Sequence, residues 1–382
     1  MATVVRWIRR AAALAAALLL LFGEPWSVFV LLPGWPAAGT IAGTVVFGAA
    51  MLAFPALMVL GHGPRQNDAA ARTGDVMLGT IWVLFAWSVL GHVLRLVLLL
   101  AGVADPARPR IVAAVTLVVA VALLVTGNRI AMRVPPVREV DVVVPKLGPG
   151  ADGLRIAVIT DTHYGPLDRT KWSEKLVAEL NRLQADVVCH AGDLADGSVA
   201  VRRKQVDPLG GVEAALGRFY ITGNHEYFGE AQAWLDHMAS LGWDTLHNRS
   251  TLVERGGDPV LFAGIDDPTG AASGLPGHGP DLDAALAGHD AHVPVVLLAH
   301  QPKQVAQARE RNVDLQISGH THGGQIWPFH LLVRLDQPTL SGLTTHGPTQ
   351  LYNSRGSGFW GPPFRVFAPN EITLITLRRS GS

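Results

Sequence analysis

Apolar positions run almost unbroken through the first third of this chain and fall into short blocks after it. No Asp, Glu, Lys or Arg occurs from Pro25 to Pro64, from Val76 to Leu94, from Leu96 to Ala104, or from Ile111 to Asn128. A membrane-spanning helix needs about 20 mostly apolar residues. The pattern therefore predicts four such helices, at 8–32, 40–61, 76–101 and 111–128. The first contains Glu24-Pro25. Charge at membrane depth is costly, so this stretch is either a kinked span or an interfacial segment. Arg9-Arg10 ahead of Ala11–Phe22 has the outline of an export signal. The further spans behind it, with no clear small-residue cleavage site, favour a retained helix. His92 and Arg95 are the ionisable side chains of the third span, placed to snorkel or to pair with Glu24. With so few inward charges the spans read as an anchor.

Beyond residue 134 the period changes. Val134-Pro135-Pro136-Val137-Arg138 resists helix and reads as an extended linker. Asp141–Pro145 is an expected edge strand, and Gly148-Pro149-Gly150 a turn. Five apolar, β-branched runs then read as strands: Leu154–Thr160, Asp186–Cys189, Arg218–Thr222, Val295–Ala299 and Val313–Ser318. Helical stretches are predicted near 169–182, 208–216, 230–241, 281–288 and 302–311. Alternation of this kind argues for layered α/β architecture. Residues 266–280 and 338–362 read as loops. The expected organisation is a transmembrane domain at 1–134, a linker and edge segment at 135–150, and an α/β domain at 151–382.

Charge and cysteine content narrow the classes. The formal net charge is zero. No basic block interleaves with aromatics, so nucleic acid is not an expected partner. The lone Cys189 forbids an internal disulfide and agrees with a reducing compartment. It lies in an apolar strand and reads as packing. Arg65, Arg72, Arg129, Arg133 and Arg138 fall on the side of the α/β domain, against Arg108 and Arg110 opposite. That bias puts the α/β domain in the cytoplasm.

The chemistry sits at the strand ends. Asp161-Thr162-His163, Gly192-Asp193, Gly223-Asn224-His225-Glu226, His300 and Gly319-His320-Thr321-His322 each follow a predicted strand within a few residues. Alone, most of these are turn or cap residues as readily as ligands. The His320/His322 pair alternates on one side of an extended segment, which already favours a metal. Together the five fragments form a nitrogen-and-oxygen donor set. Two metal ions about 3.5–4 Å apart can clamp the attacking and leaving oxygens of a phosphoryl displacement. Imidazole and carboxylate donors suit Mn, Fe or Zn.

The strings TDTHYGP, AGDLADG, TGNHEYF, LAHQP, ISGHTHGGQIWPF and RGSGFWGPPFRVFAPNEITLITL resemble the calcineurin-like metallophosphoesterases, in their bacterial membrane-associated branch. The likeness covers roughly residues 154–378. It implies a four-layer α/β/β/α sandwich with two divalent metals at the sheet edge. It also implies ligand roles. Asp161, His163, Asp193 and His322 would hold one metal; Asn224, His300 and His320 would complete the second, with Asp193 shared. His225 would face the phosphate and serve the leaving oxygen, and the nucleophile would be a bridging hydroxide. Thr160 and Thr162 depart from the family's usual Ser and Leu, but neither is a ligand.

The implied activity is hydrolysis of a phosphodiester or pyrophosphate. The short linker points to a lipid-linked or nucleotide-bearing phosphorylated substrate. The alternative is a membrane receptor or scaffold that binds a ligand without turning it over. Arg355 is a candidate substrate-binding residue, since arginine suits oxyanions, and equally reads as a surface-loop arginine. Trp327-Pro328 reads as loop packing, and His190 as structural. His247 and His278 have no partner spacing that assigns them a role.

Overall fold

Residues 2–381 are described by this computed structural model. Met1 and Ser382, the outermost residues of the two expected domains, lie outside them. The chain divides into two compact units.

One unit is helical. It takes in the chain up to Arg129 together with Ile326–Pro328 and Gly361–Val366. Its four helices are α1 (Ala2–Trp26), α2 (Ala37–His62), α3 (Asp68–Leu100) and α4 (Ala107–Met132). All four are long and apolar enough to cross a membrane. The predicted helices are present, each starting several residues earlier than expected. α3 starts at Asp68, where the Asn67 side chain caps the Ala70 N–H, so Arg72 stands on a helix rather than in a loop. After Glu24-Pro25, α1 widens into a π-turn over Ser27–Leu31. The proline cannot donate to the helical ladder, and the ladder shifts around it. Glu24 pairs with His92 at 2.6 Å, as the sequence suggested. α2 leaves Ile41, Val45, Val46, Leu52 and Val59 exposed, a surface suited to hydrocarbon. The later segments are integral to this unit. Ile326, Phe364 and Val366 cluster with Val83 and Ala120. Trp327 packs on Trp87 at 6.0 Å, and the Gly79 Cα lies against the Phe364 ring, with no room for a Cβ.

The second unit carries two six-stranded sheets. The first joins β1 (Val137–Val143), β2 (Arg155–Ile159), β3 (Val187–His190), β4 (Gly217–Tyr220), β5 (Asp244–Thr245) and the last strand, β12 (Ile372–Arg378). Its order is β1-β12-β2-β3-β4-β5. The second joins β6 (Arg249–Arg255), β7 (Asp258–Gly264), β8 (Val295–Leu298), β9 (Leu315–Ser318), β10 (Gly342–His346) and β11 (Thr349–Asn353). Its order is β10-β11-β9-β8-β7-β6. β2 to β5 run parallel, as do β7 to β9.

Alternation within each strand sends side chains to two different cores. Ile156, Val158, Cys189, Phe219, Phe262, Val296, Leu298 and Ile317 meet between the sheets. Ala157, Ile159, Val188 and Tyr220 face the helices at 170–182 and 231–240 through Trp172, Leu176, Leu180 and Trp234. Leu261, Ala263, Val295 and Leu297 face Leu282, Ala285 and Ala308 of the helices at 282–285 and 305–310. The result is the expected α/β/β/α stack.

Two expectations need correction. The helix predicted at 208–216 lies earlier, at Val199–Val206, and only a 3₁₀ turn covers Asp207–Gly211. Pro208 with Gly210-Gly211 does not sustain an α-helix. The loop predicted at 338–362 contains the β10–β11 hairpin. Its sequence, with three threonines, two glycines and a proline, lacks the apolar alternation that marks a strand.

Candidate metal centre

The parallel strands deliver the predicted fragments to one place. Asp161, Asp193 and Asn224 follow the carboxyl ends of β2, β3 and β4; His300 and His320 follow those of β8 and β9. These strands are interior to their sheets, so the donors gather at strand ends rather than along a lateral edge. The backbone is bent to suit them. Eleven described non-glycine residues have positive φ, and five are Asp161, His163, Asp193, His320 and His322. Left-handed backbone costs about 1–3 kcal/mol per residue and survives where surroundings over-determine it. Gly192 (φ 92°) makes the closest approach: a Cβ there would lie 2.7 Å from both Gly223 N and His300 Nδ1.

Three overlapping groups of donors converge here, Asp161–His163–His322, His163–Asp193–His225 and Asp193–His300–His320. The first and last fall within the two ligand sets that the resemblance implies, and the middle one joins them and takes in His225, which the resemblance places beside the phosphate rather than on a metal. His163 Nε2 lies 3.1 Å from His322 Nε2 and 3.5 Å from Asp193 Oδ2. His322 Nε2 lies 3.4 Å from Asp161 Oδ1, and His300 Nε2 3.2 Å from Asp193 Oδ2. Asn224 Oδ1 sits 2.8 Å from His320 Nδ1. His320 and His322 thus go to different groups. Their positive φ values of 70° and 51° replace the extended segment with one-sided alternation that the sequence suggested.

The outer nitrogens fix the tautomers. His300 Nδ1 lies 2.7 Å from the Ala191 carbonyl. A carbonyl only accepts, so Nδ1 carries a proton and Nε2 is left inward. That buried Nε2 has no hydrogen-bond partner. Burial would lower the His300 pKa, yet Asp193 and then Asp161 outweigh it and raise it well above the usual range. The charge that would hold a proton on Nε2 equally suits a cation. His163 Nδ1 meets Asp196 Oδ1 at 2.9 Å, the carboxylate–histidine pairing that orients metal ligands. Crowded nitrogens and carboxylates, with the inward His300 Nε2 held against Asp193, fit two divalent ions.

Three supporting residues were not legible in the sequence. Asp196 Oδ1 also meets His225 Nδ1, at 2.7 Å, so one oxygen orients both imidazoles. Burial would lower the His225 pKa, but Asp193 and Asp196 raise it to about 9. Glu226, within a quoted fragment but given no role, accepts N–H bonds from Gly223 (2.6 Å), Leu194 (2.8 Å) and Asp193 (3.1 Å). It ties the two ligand turns together. Arg169, 2% exposed, donates to the carbonyls of Thr162 and His163, the latter at 2.7 Å. Its guanidinium lies over the Trp172 and Phe359 rings, 4.6 Å from each. An acid three residues past Asp193 was the only available signal for Asp196.

The Arg355 stem lies against Gly323, next to His322, and its Nε reaches Ser341 Oγ at 3.4 Å. His190 is fully buried, with Nε2 3.0 Å from Thr162 Oγ1; burial lowers its pKa to about 3. Cys189 is buried and free. His225 is faced by Phe228 (5.2 Å) and Trp360 (5.9 Å).

The fold is an α/β/β/α sandwich with histidine and carboxylate donors gathered at its strand ends, and comparison with known proteins gives the family. Residues 154–324 match the calcineurin-like phosphoesterases. An uncharacterised metallophosphoesterase of Campylobacter jejuni is 34% identical over 304 residues, 78% of this chain and 79% of that one. The chain belongs to the calcineurin-like phosphoesterase family. A Danio rerio transmembrane protein with a metallophosphoesterase domain is 36% identical over 271 residues, 69% of this chain and 62% of that one. An uncharacterised metallophosphoesterase of Helicobacter pylori is 38% identical over 245 residues, 64% of each chain. The chain thus matches just under two thirds of the length of these last two relatives.

Proposed function

We propose that this protein is a membrane-anchored phosphoesterase that hydrolyses a phosphodiester or pyrophosphate bond at a pair of divalent metal ions, with Mn, Fe or Zn as candidates. The observation that carries the reading is the convergence of Asp161–His163–His322 and Asp193–His300–His320 around a buried His300 Nε2 that makes no aligned hydrogen bond and lies 3.2 Å from Asp193 Oδ2. Asp161, His163, Asp193 and His322 hold one ion; Asn224, His300 and His320, with Asp193, hold the other. Bound there, the ions supply the charge stabilisation and water activation of phosphoryl transfer. Asp193 also accepts the His225 backbone N–H at 2.9 Å, which keeps that residue beside the centre. His225, whose pKa Asp193 and Asp196 raise, donates its proton to the departing oxygen. Arg355 contacts the phosphate.

The four apolar helices and the transmembrane zebrafish relative support a multi-pass membrane protein. The arginine bias favours a cytoplasmic catalytic domain. A lipid-linked or nucleotide-bearing phosphate is the substrate class that a tethered site would meet. A binding-only receptor has no use for a protonated His225 beside seven donors.

The test uses the full chain in detergent with Mn²⁺, comparing bis-p-nitrophenyl phosphate with p-nitrophenyl phosphate, alongside Asp193→Asn. Diester cleavage lost in the variant is the expected result. No cleavage of either ester by folded, metal-loaded protein would overturn the enzyme reading.

A further inference from the structure

Outside the dinuclear centre, a second set of metal-type donors converges. His247 follows β5, Asp266 follows β7, and His278 lies in the loop beyond it. One donor atom from each lies within 4.8 Å of the other two. Asp266 is 1% exposed, and a carboxylate so far from water needs compensating charge. Among the described residues the basic side chains within ion-pair distance of it are the two imidazoles and no lysine or arginine, and Oδ2 accepts the Gly279 backbone N–H at 2.9 Å. His247 Nδ1 is 2.7 Å from Oδ1, and His278 Nδ1 is 3.6 Å from Oδ2.

Hydrogen bonding sets the His278 tautomer. Gln232 Nε2 donates to Asp236 Oδ1 at 2.8 Å, which turns the amide oxygen toward His278 Nε2 at 3.1 Å. That oxygen accepts, so the proton is on Nε2, and Nδ1 offers a lone pair. Nδ1 faces Asp266 and the Tyr227 hydroxyl, the latter 3.0 Å away. The two imidazole rings lie 4.5 Å apart, inclined by 37°. His247 is 30% exposed by side chain, so its outer nitrogen can take up the proton that its inner one gives up. Metal–ligand bonds of about 2.0–2.2 Å put tetrahedral donors roughly 3.3–3.5 Å apart. The observed separations bracket that value, and small ring rotations close the set.

We propose that His247, Asp266 and His278 form a third cation site, distinct from the dinuclear pair, that takes a divalent transition metal such as zinc beside the Tyr227 hydroxyl. Two imidazoles and one carboxylate are a known zinc donor set. The ion would clasp the long loop after β7 to the β5–β6 turn and to the short helix Asn224–Tyr227. Its role is to fix the loop, not to touch the phosphate.

The experiment counts zinc per chain. Full-length protein in detergent is stripped with chelator, equilibrated with Zn²⁺, separated from free metal and analysed by mass spectrometry. Wild type is expected to carry three ions and the His247→Ala/His278→Ala variant two. The difference of one reads this site, whereas the absolute number reads the dinuclear centre, so the two proposals fail separately. Equal zinc in both proteins overturns the third site. A second measurement needs no variant here: Zn²⁺ should protect His247 from diethyl pyrocarbonate in wild type, and equally in Asp193→Asn. Unchanged His247 reactivity overturns the proposal.

Discussion

Replacing Asp196 with asparagine keeps the side chain's shape and removes its charge. One oxygen of Asp196 meets His163 Nδ1 at 2.9 Å and His225 Nδ1 at 2.7 Å, so two imidazoles lose an anionic acceptor at once. A hydrogen bond to a charged group is worth about 1.5–3 kcal/mol and a neutral one about 0.5–1.5 kcal/mol, a difference near 1 kcal/mol per bond. The share at His163 weakens metal retention, and the share at His225 weakens proton donation. The sum, about 2 kcal/mol, corresponds to roughly 30-fold in kcat/KM at limiting metal, within the range of about 10–100-fold for an oriented ligand's outer partner. Diester hydrolysis by the full chain, titrated with Mn²⁺, separates the shares: excess metal should restore about half of the loss on a logarithmic scale. Wild-type rate and an unshifted metal titration would refute the reasoning. So would complete loss of metal from folded protein, which would make Asp196 a ligand.

Asp193→Asn should abolish turnover with loss of bound metal, and a wild-type rate would sink the shared-ligand assignment. His225→Ala should keep its metal, measured by mass spectrometry, and lose about 10²–10⁴-fold in rate; lost metal would make it a ligand. Gly192→Ala forces a side chain onto a backbone at φ 92° with 2.7 Å approaches to Gly223 N and His300 Nδ1. It should cost about 1–3 kcal/mol of strain alone, seen as earlier thermal inactivation. Trp234→Ala empties a fully buried site among the helices of the first sheet. A stability loss of about 3–5 kcal/mol with normal metal content in the protein still folded is the expected outcome.

The strand-end donors were readable because buried parallel strands are apolar throughout and stop abruptly, so Asp161, Asp193 and His300 stand out against their runs. Local pattern also found the four apolar helices. It failed where meaning depends on distant partners. Asp196 sits in Ala195-Asp196-Gly197, which reads as a turn until His163 and His225 are brought to it. The β10–β11 hairpin carries little apolar pattern because His346-Gly347-Pro348 and its threonines look like loop. The His247–Asp266–His278 group has no spacing at all, since three separate segments meet only in the fold.

The helical unit borrows Ile326–Pro328 and Gly361–Val366 from late in the chain, and this sets an order of events during synthesis. Trp82 donates to the Ile326 carbonyl across 244 residues, and Asn128 to the Pro363 carbonyl across 235. At about 5–20 residues per second, the ribosome needs roughly 10–50 s to cover either gap. For that interval α3 and α4 lack the apolar partners that Phe364 and Val366 provide. A chain released early, even after every proposed metal ligand has been made, would hold a helical unit without those packing partners and exposed to quality-control proteases.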